Sequence, residues 1–206
     1  MTVEALNNDP VADHFQHSLA ALNRAAQDDA LLACTRKIAQ VSIDALRGGA
    51  KILIIGNGGS AADSQHIAAE IVGRYRRERP GYPAIALTTD TSALTAIGND
   101  YGFEQIFSRQ VEALGARGDV LWALSTSGRS PNVLAAAEMA RKLGITVVGF
   151  TGSKGEAMRA SSDHLFMAPS DQAAVIQQIH MTAAHAICDA IEQALVADPG
   201  AALRPA

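Results

Sequence analysis

The sequence lacks the features that mark secreted and membrane-spanning proteins. Among its 206 residues are only two cysteines, Cys34 and Cys188, each within a helical apolar pattern, which predicts buried free thiols in a reducing compartment. No N-terminal signal pattern is visible, and no apolar run approaches the roughly 20 residues that span a bilayer. We therefore expect a soluble, cytoplasmic protein that has no membrane partner.

The sequence also lacks a lysine- and arginine-rich face. Its formal net charge is −4, which argues against electrostatic binding of nucleic acid as the main activity. The single basic cluster, RYRRER at residues 74–79, is predicted to be a solvated helix end or a contact between subunits rather than a nucleic-acid patch. No nucleic-acid partner is expected.

Five short apolar runs, the first of them rich in β-branched residues, alternate with helical patterns. They predict strands at residues 51–55, 84–87, 119–124 and 145–150, and a weaker one at 164–167. This alternation indicates an α/β fold, a three-layer αβα sandwich with a five-stranded parallel sheet. With no repeat or linker, we expect a single domain over residues 1–206, with a helical extension at about 11–47 and a core at about 51–195.

Amphipathic helices precede the first strand and connect the others. Residues 11–46 are helical in period, and the Gln-Asp-Asp interruption at 27–29 predicts two helices, the second capped by Asp28 or Asp29. These helices need a partner surface, either this subunit's own sheet or a neighbouring chain. Further helices are predicted at 91–97 with an end at Gly98, at 103–114, at 131–143 and at about 170–195, and residues 198–206 are predicted to be a frayed tail.

A glycine-rich loop, GNGGS at residues 56–60, follows the first strand and opens a helix. Its glycines permit positive φ and close backbone approach to a ligand, and Ser60 is expected to cap the helix. Along that helix His66 and Glu70 stand four residues apart, so they share a face and could hold a proton, a metal ion or a substrate hydroxyl. They could equally be an ordinary pair on a solvated face.

A second polar loop, STSGRS at residues 125–130, follows the third predicted strand. Its hydroxyls and glycine precede a helix N-terminus, a combination that suits a phosphate group but also occurs in ordinary turns and caps. The loop lacks the Gly-Lys-Ser/Thr ending of a Walker motif, and neither loop has the full Gly-x-Gly-x-x-Gly spacing. A phosphate monoester on a small metabolite is therefore preferred over a nucleotide.

The last helix carries polar side chains in an otherwise apolar sequence. Gln177, Met181 and His185 fall at offsets of four and eight, and a glutamine and a histidine buried in such a helix would need partners. His180 lies well round the helix from His185 and is predicted to be structural. The remaining histidines, at positions 14, 17 and 164, have no supporting constellation.

Five motifs together resemble those of the bacterial phosphoheptose isomerases in the sugar-isomerase (SIS) superfamily. They are GNGGSAADSQHIAAE, RPGYPAIALTTD, AIGNDYGFEQIFSRQ, GDVLWALSTSGRSPN and IQQIHMTAAH, between residues 51 and 192. The resemblance implies an aldose-ketose isomerase that converts D-sedoheptulose 7-phosphate to D-glycero-D-manno-heptose 7-phosphate through an enediol. It also implies the first step towards ADP-heptose, a precursor of lipopolysaccharide core or related heptose glycoconjugates.

The resemblance also assigns roles to residues. One Zn²⁺ per subunit would be held by His66, Glu70, Gln177 and His185, and Glu70 and His185 would be catalytic. The substrate phosphate would bind Ser125, Thr126, Ser127 and Ser130, and the sugar would contact Asn57, Gly58, Gly59, Ser60, Asn99 and Asp100, together with Glu70 and Gln177. Family members assemble as homotetramers with active sites at subunit interfaces, where Arg74 could also reach a site.

Two other functions remain open at this stage. One is a non-catalytic SIS protein resembling the factor that associates with the replication initiator, and retention of both Glu70 and His185 favours the enzyme instead. The other is a SIS isomerase or sensor for another sugar phosphate, such as a hexosamine 6-phosphate. A SIS transcriptional regulator is disfavoured because no room for a DNA-binding domain precedes Val11. Residues 171–175, DQAAV, depart from the family pattern and could alter substrate fit.

Overall fold

The computed structural model describes residues 9–197, and the tail predicted at 198–206 lies outside them. Its strands are β1 (Ile52–Gly56), β2 (Ala84–Ala86), β3 (Val120–Leu124), β4 (Thr146–Gly152) and β5 (His164–Ala168). Its α-helices are α1 (Pro10–Gln27), α2 (Asp29–Arg47), α3 (Gly59–Val72), α4 (Thr91–Tyr101), α5 (Ser108–Leu114), α6 (Pro131–Leu143) and α7 (Ala173–Val196). Short 3₁₀ turns occur at Phe103–Gln105 and Glu156–Ser161.

The five strands form one parallel sheet in the order β2-β1-β3-β4-β5, which confirms the predicted fold class. Because successive side chains of a strand point to opposite faces, β1 supplies both cores. Ile52 and Ile54 pack with residues of α2, α3 and α7, whereas Leu53 and Ile55 pack with residues of α5 and α6. Helices therefore cover both faces of the sheet, as in a three-layer sandwich. Within the described residues, no helix combines the length and the apolar composition that a bilayer crossing requires.

The two N-terminal helices differ in what they bury. The break between them falls at Asp28, whose side chain accepts a hydrogen bond from the backbone N–H of Leu31 at 2.9 Å and so caps α2 as predicted. Helix α2 packs its apolar face into the core of this subunit. Helix α1 instead leaves an apolar stripe in solvent, with Val11 55%, Phe15 70% and Leu19 54% exposed. Within residues 9–197, α2 thus covers its own sheet, whereas α1 keeps an apolar face without a partner.

Two predicted helix boundaries are wrong, and glycines explain both. Helix α3 begins at Gly59 after Gly58, which has φ 55°, so Ser60 does not cap the helix and is buried instead. Helix α4 continues through Gly98, where a glycine costs only about 1 kcal/mol, and ends before Gly102, which has φ 88°. The predicted helix at 103–114 divides into the 3₁₀ turn Phe103–Gln105 and α5.

The two cysteines are free, as predicted, but only one is fully buried. Cys188 lies within α7, where burial raises the pKa of its thiol to about 12. Cys34 is half-buried, and its Sγ lies 3.4 Å from the backbone oxygen of Leu165. The prediction therefore holds for Cys188 and is wrong for the burial of Cys34.

Candidate active site

The sequence motifs on α3 and α7 meet where these two helices pack together. His66 and Glu70 of α3 and His185 of α7 each direct one donor atom to a common point, and these atoms all lie within 4.8 Å of one another. His66 Nε2 lies 3.0 Å from Glu70 Oε1 and 3.3 Å from His185 Nε2. The four-residue spacing on α3 thus places two donors side by side, and α7 adds a third from 119 residues away.

This donor set fits a divalent metal ion. Two imidazoles and one carboxylate are a common ligand set of catalytic zinc, which keeps a further coordination position open for water or substrate. The site is accessible, because His66 is exposed and both Glu70 and His185 are only partly buried. The same three groups also include a carboxylate and an imidazole that can exchange protons with a bound molecule.

Tyr75 covers the cluster from one side. Its ring stacks on the imidazole of His185, with a centroid separation of 5.3 Å and an interplanar angle of 15°. The loop that carries Tyr75 is fixed by Glu192, whose carboxylate accepts hydrogen bonds from the backbone N–H groups of Tyr75, Arg76 and Arg77 at 2.6, 2.8 and 3.0 Å. Burial alone would raise the pKa of Glu192, but these donors and nearby Arg79 hold it below its usual range.

The basic cluster at 74–79 is not a helix end, because α3 already ends at Val72. It is not wholly solvated either. The Arg79 side chain is only 2% exposed, and its Nε lies 3.2 Å from Glu192 Oε1. Arg77 pairs with Asp189 at 2.6 Å. Sequence reasoning missed this contact, although Asp189 and Glu192 were visible as acidic residues on a largely apolar helix that could neutralise a basic cluster.

Gln177 lies two turns before His185 on α7, about 12 Å along the helix axis. Its carboxamide packs against Gly59, where a Cβ would lie 2.5 Å from Gln177 Nε2, so a larger residue at this position would displace the carboxamide. The same Nε2 is 3.5 Å from Ser60 Oγ. Three of the four residues assigned to zinc by resemblance, His66, Glu70 and His185, converge on one another. The carboxamide of Gln177 contacts the first turn of α3, the helix that carries His66 and Glu70.

The loop at 125–130 forms a tight turn at the N-terminus of α6. Ser125 Oγ lies 2.9 Å from Ser130 Oγ, and Gly128 has φ 65°. The start of α6, directly after this turn, is joined to the glycine-rich loop by a reciprocal pair of amide hydrogen bonds between Asn57 and Asn132, at 2.8 and 2.9 Å. Both loops thus lie at the carboxyl edge of the sheet, where open α/β sheets bind ligands.

Three other predicted residues lie apart from these groups in the subunit. Asn99 and Asp100 are exposed on α4, where Asn99 Nδ2 donates to Asp100 Oδ1 at 2.8 Å. Arg74 is exposed and lies 3.6 Å from Glu78. Within residues 9–197, no hydrogen bond joins any of these three side chains to the His66–Glu70–His185 cluster or to the turn at 125–130.

His180 is a core histidine, as predicted. It is 1% exposed, and its Nε2 lies 3.1 Å from the backbone oxygen of Thr151. Since a carbonyl oxygen can only accept, Nε2 carries the proton. Burial lowers the pKa of His180 to about 4, so the ring is neutral at physiological pH.

Comparison with known proteins identifies the group to which this fold and these side chains belong. The SIS domain family matches residues 14–152. A phosphoheptose isomerase of a Bradyrhizobium species is 62% identical over 191 residues, covering 93% of this chain and 96% of the relative. One from Burkholderia pseudomallei is 54% identical, covering 82% and 85%. The chain belongs to the phosphoheptose isomerase family.

Solved structures of phosphoheptose isomerases agree with this assignment. The protein from Neisseria gonorrhoeae is 45% identical with a TM-score of 0.83, covering 89% of this chain and 97% of its own. The protein from Francisella tularensis is 38% identical with a TM-score of 0.87, covering 94% and 100%. The protein is thus an isomerase of the SIS superfamily, and neither the non-catalytic function nor another sugar phosphate is favoured.

Proposed function

We propose that this protein converts sedoheptulose 7-phosphate to D-glycero-D-manno-heptose 7-phosphate. The observation that carries the proposal is the 62% identity to a phosphoheptose isomerase over 93% of the chain. The convergence of His66, Glu70 and His185 within 4.8 Å supports it, because these groups provide the chemistry that the reaction needs.

Isomerisation of a 2-ketose to an aldose moves one proton between C1 and C2 through an enediol, and a second proton between the two oxygens. One base and one acid suffice. Glu70 and His185 form this pair in the proposal, one removing the carbon-bound proton and the other transferring the oxygen-bound proton. Tyr75 and the buried Glu192 contribute by keeping the His185 ring in one orientation.

His66, Glu70 and His185 would also hold a zinc ion, with Gln177 as the fourth proposed ligand. When bound, zinc supplies a Lewis acid that polarises the substrate carbonyl. Gly59 and Ser60 position the carboxamide of Gln177 close to the glycine-rich loop, where the sugar is proposed to bind. In this proposal, the side chains of the protein orient the substrate and transfer the protons.

The turn at 125–130 is the proposed site of the substrate phosphate. The hydroxyls of Ser125, Thr126, Ser127 and Ser130 and the N-terminus of the 13-residue helix α6 provide donors and a favourable dipole. Asn57, Gly58, Gly59 and Ser60 would line the sugar. Asn99 and Asp100 are exposed on α4, and Arg74 is exposed as well. In this proposal, all three would reach the substrate of a neighbouring subunit across a contact in the assembly.

A homotetramer is the proposed assembly, with each site at an interface. The apolar stripe Val11, Phe15 and Leu19 on α1 supports it, since a stripe more than half exposed favours burial against another chain. A cytoplasmic location is proposed from the sugar-phosphate substrate and is consistent with two free cysteines.

The test is to incubate purified protein with sedoheptulose 7-phosphate and to follow aldose formation, with and without a chelator. Wild type should turn over, and chelation should lower the rate until Zn²⁺ is restored. Glu70→Gln and His185→Ala should each lower kcat by about 10³-fold or more while circular dichroism stays unchanged. His17→Ala and Glu138→Gln are matched controls on exposed helix faces. Near-wild-type rates in either site variant would contradict the proposal.

A further inference from the structure

A cavity of about 300 Å³ lies between the turn at 125–130, the loop after β4 and the start of α7. Sequence reasoning identified the first of these walls but not the other two as parts of one site. The cavity is lined among others by Thr126, Ser127, Arg129, Lys154, Asp171 and Ile176. Three of these six side chains are charged, and two of those are cations.

The two cations differ in their partners. Lys154 Nζ lies 2.6 Å from Asp171 Oδ2, with the side chains 71% and 50% exposed. Arg129 is exposed as well, and no carboxylate of residues 9–197 lies within 4.0 Å of its guanidinium. An exposed ion pair contributes little to stability, so exchanging its partner costs little.

The backbone that carries Lys154 is fixed beside the turn. The N–H of Gly152 donates to the oxygen of Thr126 at 3.0 Å, and the N–H of Ser153 donates to the oxygen of Ser170 at 2.9 Å. Gly155 packs so closely on Gly128 that a Cβ at Gly128 would lie 2.6 Å from Gly155 Cα. The backbone at Lys154 is therefore fixed, and only the flexible side chain needs to move.

We propose that Lys154 and Arg129 form a cationic subsite for the substrate's phosphate, and that Lys154 leaves Asp171 for the phosphate when substrate binds. This inference rests on the proposed function. A phosphate monoester carries nearly two negative charges and three strong acceptor oxygens, so it competes effectively with one exposed carboxylate. Asp171, ionised at neutral pH, opposes phosphate binding by holding Lys154 and by repelling the anion.

The proposal gives Asp171, in the segment 171–175 that was expected to alter substrate fit, a part in phosphate binding. In the proposal, Lys154 raises the affinity for phosphate and Asp171 lowers it. The two residues of a purely structural ion pair would not have opposite effects. Loss of a structural pair would have the same effect from either side. The two variants Lys154→Gln and Asp171→Asn therefore distinguish a subsite from a surface contact.

The experiment measures the KM for sedoheptulose 7-phosphate and, by calorimetry, the dissociation constant of inorganic phosphate. Lys154→Gln and Arg129→Gln should each raise both constants about fivefold, with the effect on KM rather than on kcat. Asp171→Asn should lower both about two- to threefold. Lys142→Gln, at the far end of α6, and Glu112→Gln, from the exposed pair with Arg109, are controls that should change neither.

If Lys154→Gln and Asp171→Asn shift phosphate binding in the same direction, or if both behave like the controls, the inference is wrong. Failure of the proposed function would look different. Wild-type protein would then not convert sedoheptulose 7-phosphate, whereas the calorimetric comparison with inorganic phosphate would still decide whether the cationic subsite exists.

Discussion

Two ion pairs near opposite ends of α7 have similar distances but different consequences. Near the C-terminal end, Glu192 meets Arg79 at 3.2 Å, and both side chains are at most 2% exposed. Near the N-terminal end, Asp171 meets Lys154 at 2.6 Å, and both are at least half exposed. The shorter pair is the weaker one, because water and salt screen it, while Glu192 also accepts three backbone N–H groups.

The difference in burial between the two ion pairs matches the proposed function of each end of the site. Proton transfer needs an imidazole in one orientation, and the loop anchored on Glu192 presses Tyr75 against His185. The proposed phosphate subsite needs a cation that can leave its partner, and Lys154 is paired only with an exposed carboxylate. Burial and the number of donors, rather than distance, separate a positioning contact from an exchangeable one.

Glu192→Ala is expected to have the largest effect on stability. A small effect would contradict the ranking of the two ion pairs by burial. Removal of the carboxylate leaves the buried Arg79 charge without its anionic partner and three backbone N–H groups without their acceptor. The free energy of unfolding should therefore fall by about 3–5 kcal/mol. Urea denaturation measures this change in the free energy of unfolding. Glu138→Ala, at an exposed position on α6, is the control and should change stability by less than about 0.5 kcal/mol.

Acid titration sharpens the same point. Because the pKa of Glu192 is lowered in the folded state, its stabilisation is fully present above the unfolded value of about 4.3 and is lost as the pH falls through the folded value. Glu192→Gln should therefore lose less stability than wild type between about pH 5 and pH 2. Parallel curves for the two proteins would show that Glu192 contributes no charge interaction.

Gly128→Ala comes next. It tests whether the backbone of the proposed phosphate-binding turn is fixed although the cations beside it are exposed. The residue has φ 65°, and a Cβ would lie 2.6 Å from Gly155, so we expect a loss of about 2–4 kcal/mol in the free energy of unfolding. Gly118→Ala is the matched control. It has φ 94° but open space, so only the backbone cost of about 1–2 kcal/mol applies. Equal losses would mean that the turn yields at no cost.

Much of the fold was predictable because short apolar runs and helical periods are local signals. All five strands and the break between α1 and α2 follow from them. The predictions at Ser60 and Gly98 were wrong because they relied on the first polar residue and the first glycine along the chain. The positive φ of Gly58 sets the start of α3, and that of Gly102 sets the end of α4. A glycine's φ depends on the turn around it, which its identity alone does not give.

The candidate site was predictable only where resemblance or helical spacing linked its parts. The pair His66 and Glu70 follows from a spacing of four, but the approach of His185 depends on how α3 packs on α7. Tyr75 and Glu192 were missed because their roles arise from contacts 117 residues apart in sequence. An acidic residue on a largely apolar helix was the one available signal.

Tyr75→Ala should lower kcat by about tenfold, since the imidazole of His185 would lose the ring that fixes its orientation. Steady-state rates with sedoheptulose 7-phosphate give the measurement. Tyr75→Phe keeps the ring and should keep kcat, because the stacking uses the ring face and not the hydroxyl. Equal rates in all three proteins would show that His185 needs no support from this side.

Asp189→Asn should have the smallest effect and separates the two acidic residues at the C-terminal end. Asp189 pairs with Arg77 at 2.6 Å, which lowers the pKa of its carboxyl, but the side chains are 24% and 37% exposed. Solvent screening limits such a pair to about 0.5 kcal/mol in the free energy of unfolding, several times less than Glu192→Ala. A loss equal to that of Glu192→Ala would mean that the charge network acts as a unit and that burial does not rank its members.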